Sequence, residues 1–134
     1  NGLVNALAQG TTVIDMSSSA PAGTTALGKD LAAKGIAYVD APVMGGVIFA
    51  KDASLDIMAG GEPAQIERCK PLFDAMGRKL YVCGPLGSGH VLKCLANYIN
   101  ACAMINTAAS WPMQSSRCAT VVSIRSPRKS SRTC

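Results

Sequence analysis

With 134 residues, the chain is long enough for one domain with a hydrophobic core of its own, but too short for two such domains. Hydrophobic residues make up 49% of the chain and aromatic residues only 4%, a mixture typical of a helix-and-sheet domain rather than a disulfide-rich secreted one. Every acidic residue precedes position 110, so the formal net charge of +5 arises in residues 110–134, which argues against nucleic-acid binding by the main part.

The cysteines and the apolar runs indicate a reducing compartment. No two of the six cysteines have the C-x-x-C spacing and there is one histidine, so we expect free thiols and no metal site. This favours the cytoplasm, or the mitochondrial matrix in a eukaryote. No apolar run reaches roughly 18 residues, so no membrane span is expected. The chain starts inside an apolar pattern, without Met or a leader, which predicts an internal segment of a longer protein.

Apolar periodicity and turn residues predict helices that alternate with strands. The predicted helices cover residues 1–9, 21–34, 64–76 and 88–109, and the predicted strands cover 11–17, 36–43, 54–60 and 79–83. Leu27 and Leu31 mark the expected buried face of the second helix, and Ile66, Leu72 and Phe73 mark that of the third. The alternation predicts an α/β fold with a partly parallel sheet.

Three loops rich in Ser or Gly follow predicted strands, at residues 17–19, 44–46 and 84–89. Because α/β sheets bind ligands beyond the carboxyl ends of their strands, we expect these loops to share one rim. Their residue types suit ligand binding, since serine offers hydroxyl groups and glycine lets the backbone approach a ligand closely. The sequence therefore predicts a ligand site at this rim.

Lys93 is the first candidate for chemistry. It lies near the start of the last predicted helix, beside an apolar turn, where a lysine would be partly desolvated and suited to proton transfer. Asn97 follows four residues later on the same helix face, where it could hold a substrate hydroxyl or the lysine itself. The spacing alone favours an ordinary surface lysine and a surface asparagine over a catalytic pair.

The glycine and serine loops each allow two interpretations. The N–H groups of Gly45 and Gly46 could hold an anion such as a carboxylate, although two glycines also suit a simple tight turn. The serines of the 17–19 loop could bond a cofactor or a carboxylate, but we expect one of them to cap the helix that starts at Pro21.

The 84–91 segment, GPLGSGHV, resembles a phosphate-binding P-loop only in part. His90 stands where the P-loop has its Lys and Val91 where it has Ser or Thr, so both the charge and the metal-holding hydroxyl are missing. We therefore reject that interpretation. Because no neighbouring residues form a triad with His90, we expect it to support the site or to face solvent rather than act as a general base.

The pattern fails after Ala109. Residues 110–134 have no acidic residue and no helical period, and Pro112 interrupts a helix that shows no other reason to end. A frameshifted reading or a disordered, basic, Ser-rich tail would each produce this change.

Four stretches in unbroken order resemble the β-hydroxyacid dehydrogenase family, of which 3-hydroxyisobutyrate dehydrogenase is the best-known type. They are VIDMSSSAP (13–21), DAPVMGGVIFAKDASLDIMAGG (40–61), PLFDAMGRKLYVCGPLGSGH (71–90) and GSGHVLKCLANY (87–98). The resemblance implies that residues 1–86 are the second half of a Rossmann-like dinucleotide-binding domain. Residues 87–109 would then start the long interdomain helix of the family.

The resemblance also implies a role for each candidate. Lys93 would be the catalytic acid/base, and Asn97 would orient the substrate. Gly45 and Gly46 would hold the substrate carboxylate through their N–H groups, and Ser18 would contact the cofactor, NAD or NADP. The implied reaction moves a hydride between that cofactor and a small 3-hydroxy acid, giving a semialdehyde. The whole enzyme would be a homo-oligomer, and neither a membrane nor nucleic acid is an expected partner.

The chain departs from the family pattern at three points. Met44 occupies a substrate-binding position where the family usually has Ser, and Ala96 replaces the first residue of the usual Asn-Asn pair. The G-x-G-x-x-G turn that seats the pyrophosphate is absent from these 134 residues. We therefore expect the chain alone to be inactive. The alternatives are a non-catalytic relative that binds nucleic acid or an acidic partner through its basic tail, or a fragment with no function of its own.

Overall fold

A computed structural model of the chain describes residues 5–110, and of Ser110 only its place in a helix. The described part contains five strands and four helices in alternation. In chain order they are β1 (Thr12–Asp15), α1 (Pro21–Ala32), β2 (Ala37–Asp40), β3 (Val43–Met44), α2 (Val47–Lys51), β4 (Leu55–Gly60), α3 (Pro63–Met76), β5 (Gly77–Gly84) and α4 (Ser88–Ser110). The α/β architecture that the alternation predicted is confirmed.

The strands form one mixed sheet. β1 and β2 run parallel, with Asp15 beside Asp40 at their carboxyl ends. β4 runs antiparallel to β2 and β3, and β5 lies parallel to β4 on its other side. β2 and β3 both pair with β4. The hydrogen-bonded pairing is interrupted between them at Pro42, which has no N–H to donate. Its carbonyl still accepts the N–H of Met58 at 3.0 Å.

Helices cover both faces of the sheet. Adjacent residues of a strand point to opposite faces, so Tyr38 and Val39 of β2 belong to different halves of the core. Val39 lies in the larger cluster, which α3 completes (Val39, Ala41, Ile57, Ala59, Ile66, Cys69, Phe73). Tyr38 lies in the smaller one, which α1 completes (Leu31, Ile36, Tyr38). The sheet is therefore packed between α1 and α3.

Two of the five predicted core positions are wrong. Leu27 and Leu72 are 38% and 49% exposed. In α1 the buried residues are Thr24, Gly28 and Leu31, and a Cβ on Gly28 would lie 3.5 Å from the Tyr38 ring of β2. Leu72 lies next to the buried Phe73, and one residue corresponds to roughly a quarter-turn of helix, which carries it off the buried stripe.

Most predicted elements are confirmed to within three residues of their bounds, with two exceptions. The helix predicted for 1–9 is wrong at residues 7–9, which form loop and turn and end at Gly10, whose N–H bonds the Gly35 carbonyl at 2.8 Å. The five-residue α2 has too few residues for a periodic signal and was not predicted.

Contacts divide the chain into two compact units, residues 1–101 and 102–134. All site residues discussed below lie in the first unit. The second is described only for 102–110, which are helical, with the Thr107 hydroxyl donating to the Ala103 carbonyl at 2.8 Å. The frameshift or disorder expected for the tail falls outside the described residues.

The four cysteines of the described part are free thiols: Cys69, Cys83, Cys94 and Cys102. Cys118 and Cys134 lie outside it. No helix within residues 5–110 combines the length and the apolar character needed to cross a bilayer.

Candidate functional site

The start of α4, the helix that carries Lys93, is held by a carboxylate from the neighbouring strand. Asp40 ends β2 and has no exposed surface. One of its oxygens accepts the Gly87 N–H at 2.7 Å, and the other accepts the His90 N–H at 2.8 Å. The first amide groups of a helix lack partners within the helix, and its N-terminus favours negative charge. Asp40 therefore does from a distance what a capping residue does locally.

Two glycines allow this close approach. A Cβ on Gly60 would lie 2.5 Å from the Asp40 Oδ1 and 2.9 Å from the Gly89 nitrogen. A Cβ on Gly89 would collide with the Met58 carbonyl oxygen and lie 2.9 Å from the Asp40 Oδ2. The turn before the helix also needs glycine, because Gly87 has φ +95°, where other residues are strained. The glycines of this region thus bring α4 against β2 and β4.

His90 is completely buried beside Asp40 and joins α4 to two other segments. Its Nδ1 lies 2.8 Å from the Thr24 hydroxyl in α1, and its Nε2 lies 3.1 Å from the Ser17 carbonyl oxygen. A carbonyl can only accept, so Nε2 carries a hydrogen and donates it. The solvent-facing alternative for His90 is wrong, because the helix enters so close to the sheet that its first turn is covered.

The 17–19 loop lies against the first two turns of α4. Besides the Ser17 contact with His90, the Ser19 carbonyl lies 3.9 Å from the Cys94 thiol. Ser18 is exposed. The expectation that one serine caps α1 is wrong, because the N-cap position is Ala20 and no side chain caps the helix. Ser17 instead turns back toward β1, where its N–H donates to Asp15 at 2.9 Å.

Asp15, the last residue of β1, anchors this loop through the hydrogen bond that it accepts from Ser17. Burial raises the pKa of its carboxyl group, but hydrogen bonds from Ser17 and Tyr38 and the nearby His90 outweigh burial and bring the pKa below the ordinary value of 3.8. The Tyr38 hydroxyl donates to the Asp15 Oδ2 at 2.8 Å. Burial and this carboxylate raise the pKa of Tyr38 well above its usual value. Asp15 is thus an ionised acceptor on which the loop is anchored.

Lys93 lies on α4, one turn after His90. It is half-buried, whereas Asn97, one turn further, is exposed. The next residue after Lys93 is Cys94, which contacts the 17–19 loop. The structure therefore brings two of the predicted site segments together, the serine loop and the helix turn that carries the candidate acid/base.

The third predicted site segment is the 44–46 loop, which includes the end of β3. Met44 ends β3 opposite Asp56, which places it four residues beyond Asp40. Gly45 has φ +120°, and a Cβ there would be 2.9 Å from the Phe49 Cβ, so both conformation and space require glycine. Gly46 has open space around it and is the N-cap residue of α2. Within residues 5–110, no hydrogen bond connects the 44–46 loop to Lys93 or Ser18.

The 17–19 and 84–89 loops share a rim near Asp40, but the 44–46 loop lies apart from it because of the direction of β4 and β5. These strands run opposite to β1 and β2, so Gly60 and Gly84 end beside Asp40 rather than beside Met44. The 84–89 loop meets the serine loop because α4 starts at Asp40, not because all strands point the same way. The sequence contained no signal for this reversal, since the residue pattern within a strand does not give the strand's direction relative to its neighbours.

Comparison with known proteins supports the same fold and class. Residues 1–84 match the NAD binding domain of 6-phosphogluconate dehydrogenase, a stretch that ends with β5 and so includes the whole described sheet. The chain belongs to this family. In 6-phosphogluconate dehydrogenase this domain binds NAD. The expected dinucleotide-binding fold and cofactor class are thereby confirmed.

Several proteins similar to this chain are dehydrogenases. The chain is 39% identical over 108 residues to the NAD-dependent L-serine dehydrogenase of Pseudomonas aeruginosa, covering 81% of this chain and 36% of that protein. It is 38% identical over 107 residues to the 2-(hydroxymethyl)glutarate dehydrogenase of Eubacterium barkeri, covering 80% and 36%. The structure of Mycobacterium tuberculosis 3-hydroxyisobutyrate dehydrogenase with L-serine superposes with a TM-score of 0.75 at 30% identity, covering 79% and 36%.

These similarities confirm the resemblance to β-hydroxyacid dehydrogenases and the Rossmann-like character of the sheet. The chain spans about a third of the length of the curated relatives it matches.

Asp15, Thr24 and Asp40 were missed as site residues. An aspartate at the end of each of two adjacent buried strands was the available signal, because buried carboxylates need partners.

Proposed function

We propose that this chain supplies the substrate-facing part of an NAD- or NADP-dependent dehydrogenase that oxidises a small 3-hydroxy acid to a semialdehyde. The observation that carries the proposal is the placement of Lys93. It follows, within one turn, the His90 contact to the serine loop, so a proton-transferring group and a cofactor-facing loop adjoin. Membership of an NAD-binding family and the hydroxy-acid dehydrogenase relatives support the reaction class.

The proposal gives each residue a separate task. The Lys93 amine takes the proton from the substrate hydroxyl as the carbon is oxidised, and Asn97 orients that hydroxyl by a hydrogen bond. The N–H groups of Gly45 and Gly46 hold the carboxylate, for which the open space at Gly46 leaves room. NAD or NADP, when bound, supplies the hydride acceptor, and Ser18 contacts it from the exposed loop.

Met44 bears on the choice of substrate rather than on the reaction. A thioether offers no hydroxyl group to a carboxylate, so the backbone donors of the two glycines would bind it without side-chain help. We expect weaker carboxylate binding than in a relative with Ser at this position. A cytoplasmic location and a homo-oligomeric whole enzyme complete the proposal.

We also propose that these 134 residues are inactive by themselves. They contain no G-x-G-x-x-G turn to seat the pyrophosphate, so the cofactor would lack its strongest anchor. Cofactor-dependent turnover by the purified chain, lost on Lys93→Ala, would contradict this part.

The reaction is tested by grafting. The aligned 108 residues of the Pseudomonas aeruginosa dehydrogenase are replaced by those of this chain, and NADH or NADPH formation is followed over a panel of 3-hydroxy acids. We expect turnover that falls by roughly a hundredfold or more in Lys93→Met, which keeps the length of the side chain without its amine. Lys51→Met, at an exposed lysine of α2, is the matched control and should leave turnover unchanged. A folded graft that is inactive on the whole panel, or a Lys93→Met graft with full activity, would refute the proposal.

A further inference from the structure

We propose that Asp40 and His90 are positioning residues, which together hold Lys93 and the 17–19 loop in one fixed relation. The inference rests on the proposed function for the meaning of Lys93 and Ser18. The position of the 17–19 loop relative to the start of α4 rests on contacts within residues 5–101. Asp40 was not among the predicted site residues and His90 was expected only to support the site or to face solvent, and neither needs to touch substrate or cofactor for this task.

Asp40 fixes where α4 begins. Its two carboxylate oxygens accept the amides of Gly87 and His90, one on each side of the helix start at Ser88. The carboxylate is fully buried, so no water replaces these bonds if it is removed. Leaving buried amides without partners is costly, and hydrogen bonds to a charged acceptor are stronger than neutral ones. The register of α4 against β2 therefore depends on this side chain.

His90 fixes what α4 lies against. Its backbone is bonded to Asp40, and its ring reaches Thr24 in α1 and the Ser17 carbonyl. The next residue after Ser17 is Ser18, so the ring determines the backbone position from which that hydroxyl is presented. Lys93 follows on the same helix within one turn, and a helix transmits position rigidly over such a distance. One buried side chain thus connects both proposed functional groups.

The Asp40 half is tested by amide hydrogen exchange of the full 134-residue chain, measured by NMR. Asp40→Asn keeps the shape but replaces one accepting oxygen by an NH2 group. We expect exchange of whichever of the Gly87 and His90 amides then faces the NH2 group to rise by roughly five- to thirtyfold, in excess of any change at Met58 in β4. Asp56→Asn, at the aspartate of β4 that pairs with Arg78, is the control and should leave both amides unchanged. Equal acceleration at all three amides would show a general loss of stability and overturn the proposal.

The His90 half is tested by chemical shifts in the same chain. His90→Leu removes both ring contacts, and we expect the Ser18 amide and Lys93 side-chain resonances to move together. His90→Gln retains a donor for the Ser17 carbonyl and should restore both in large part. If the leucine variant fails to fold, Thr24→Val removes only the hydroxyl partner and should still move the Ser18 resonance. Unchanged resonances in any folded variant that lacks these contacts would overturn the proposal.

These measurements separate the inference from the proposed function. They record positions and need neither cofactor nor turnover. If turnover by the graft is insensitive to Lys93→Met but the chemical shifts still move, only the proposed function is refuted. If the chemical shifts stay unchanged while turnover by the graft depends on Lys93, only the positioning role is refuted.

Discussion

Replacing Gly89 by alanine tests how tightly α4 is seated on the sheet. The added methyl group would collide with the Met58 carbonyl oxygen and lie 2.9 Å from the Asp40 Oδ2. The obstructing carbonyl belongs to the backbone of the central strand β4, so no side-chain rotation relieves the collision. Either α4 or β4 must move, and a shift of α4 lengthens the bonds from Gly87 and His90 to Asp40, now 2.7 and 2.8 Å.

The expected cost combines opposing effects. Overpacking of a close contact costs about 1–3 kcal/mol. Weakening one buried hydrogen bond to a charged acceptor costs about 1.5–3 kcal/mol more. Alanine in a helix gains about 1 kcal/mol over glycine. We therefore expect Gly89→Ala to lower the free energy of unfolding by about 1.5–5 kcal/mol.

The assay is urea denaturation followed by circular dichroism, with Gly23→Ala as the matched control. Gly23 also lies in the first turn of a helix, but a Cβ there meets nothing within 4 Å. The control should be neutral or gain up to about 1 kcal/mol from helix propensity. If Gly89→Ala is as stable as the unmodified chain, or if both variants lose stability equally, the close seating of α4 is refuted.

Three further predictions concern the core, the pH dependence and the thiols. Phe73→Ala should lower the free energy of unfolding by about 3–5 kcal/mol, and Leu72→Ala by less than about 1 kcal/mol, in urea titrations; equal losses would contradict the observed helix face. Folding lowers the pKa of the Asp15 carboxyl group. Its contribution to stability is therefore fully present above the pKa that it has in the unfolded chain, and is lost as the pH falls through the lower pKa of the folded state. The stability advantage over Asp15→Asn should therefore shrink in urea titrations below pH 3.8; a constant difference would argue against an ionised acceptor. Iodoacetamide should label the exposed Cys94 faster than the buried Cys69, whose thiol pKa is raised by burial, as followed by mass spectrometry; the reverse order would contradict the burial.

The fold was largely predictable because its signals are local. The helix stop at Gly35, the turn at Gly61 and the prolines at the starts of α1 and α3 depend on short-range backbone chemistry. The stripe positions Leu31, Ile66 and Phe73 depend on helical period, and sequence placed these three correctly. Strand direction and the choice between adjacent apolar residues depend on long-range packing, which a local pattern does not contain.

The site was predictable only where a resemblance supplied it. Lys93, Asn97 and the 44–46 loop have no distinctive spacing, and their roles remain proposals. The Asp40 and His90 pair escaped sequence reasoning because the partners are 50 residues apart in the chain. A lone histidine gives no sign of whether it is covered. Burial decided that question, and it was visible only in the packed structure.

The most direct test of the central claim is chemical rescue of Lys93→Ala in the grafted dehydrogenase. If Lys93 moves the substrate proton, small primary amines added to the assay should restore turnover, and more basic amines should restore more at equal free-base concentration. Alanine substitution elsewhere, for example at Lys51, should give no amine-dependent rate. Saturable rescue that rises with amine basicity is the predicted result. A folded Lys93→Ala graft that no amine restores, or one that needs no restoring, would contradict the assignment of Lys93 as the acid/base.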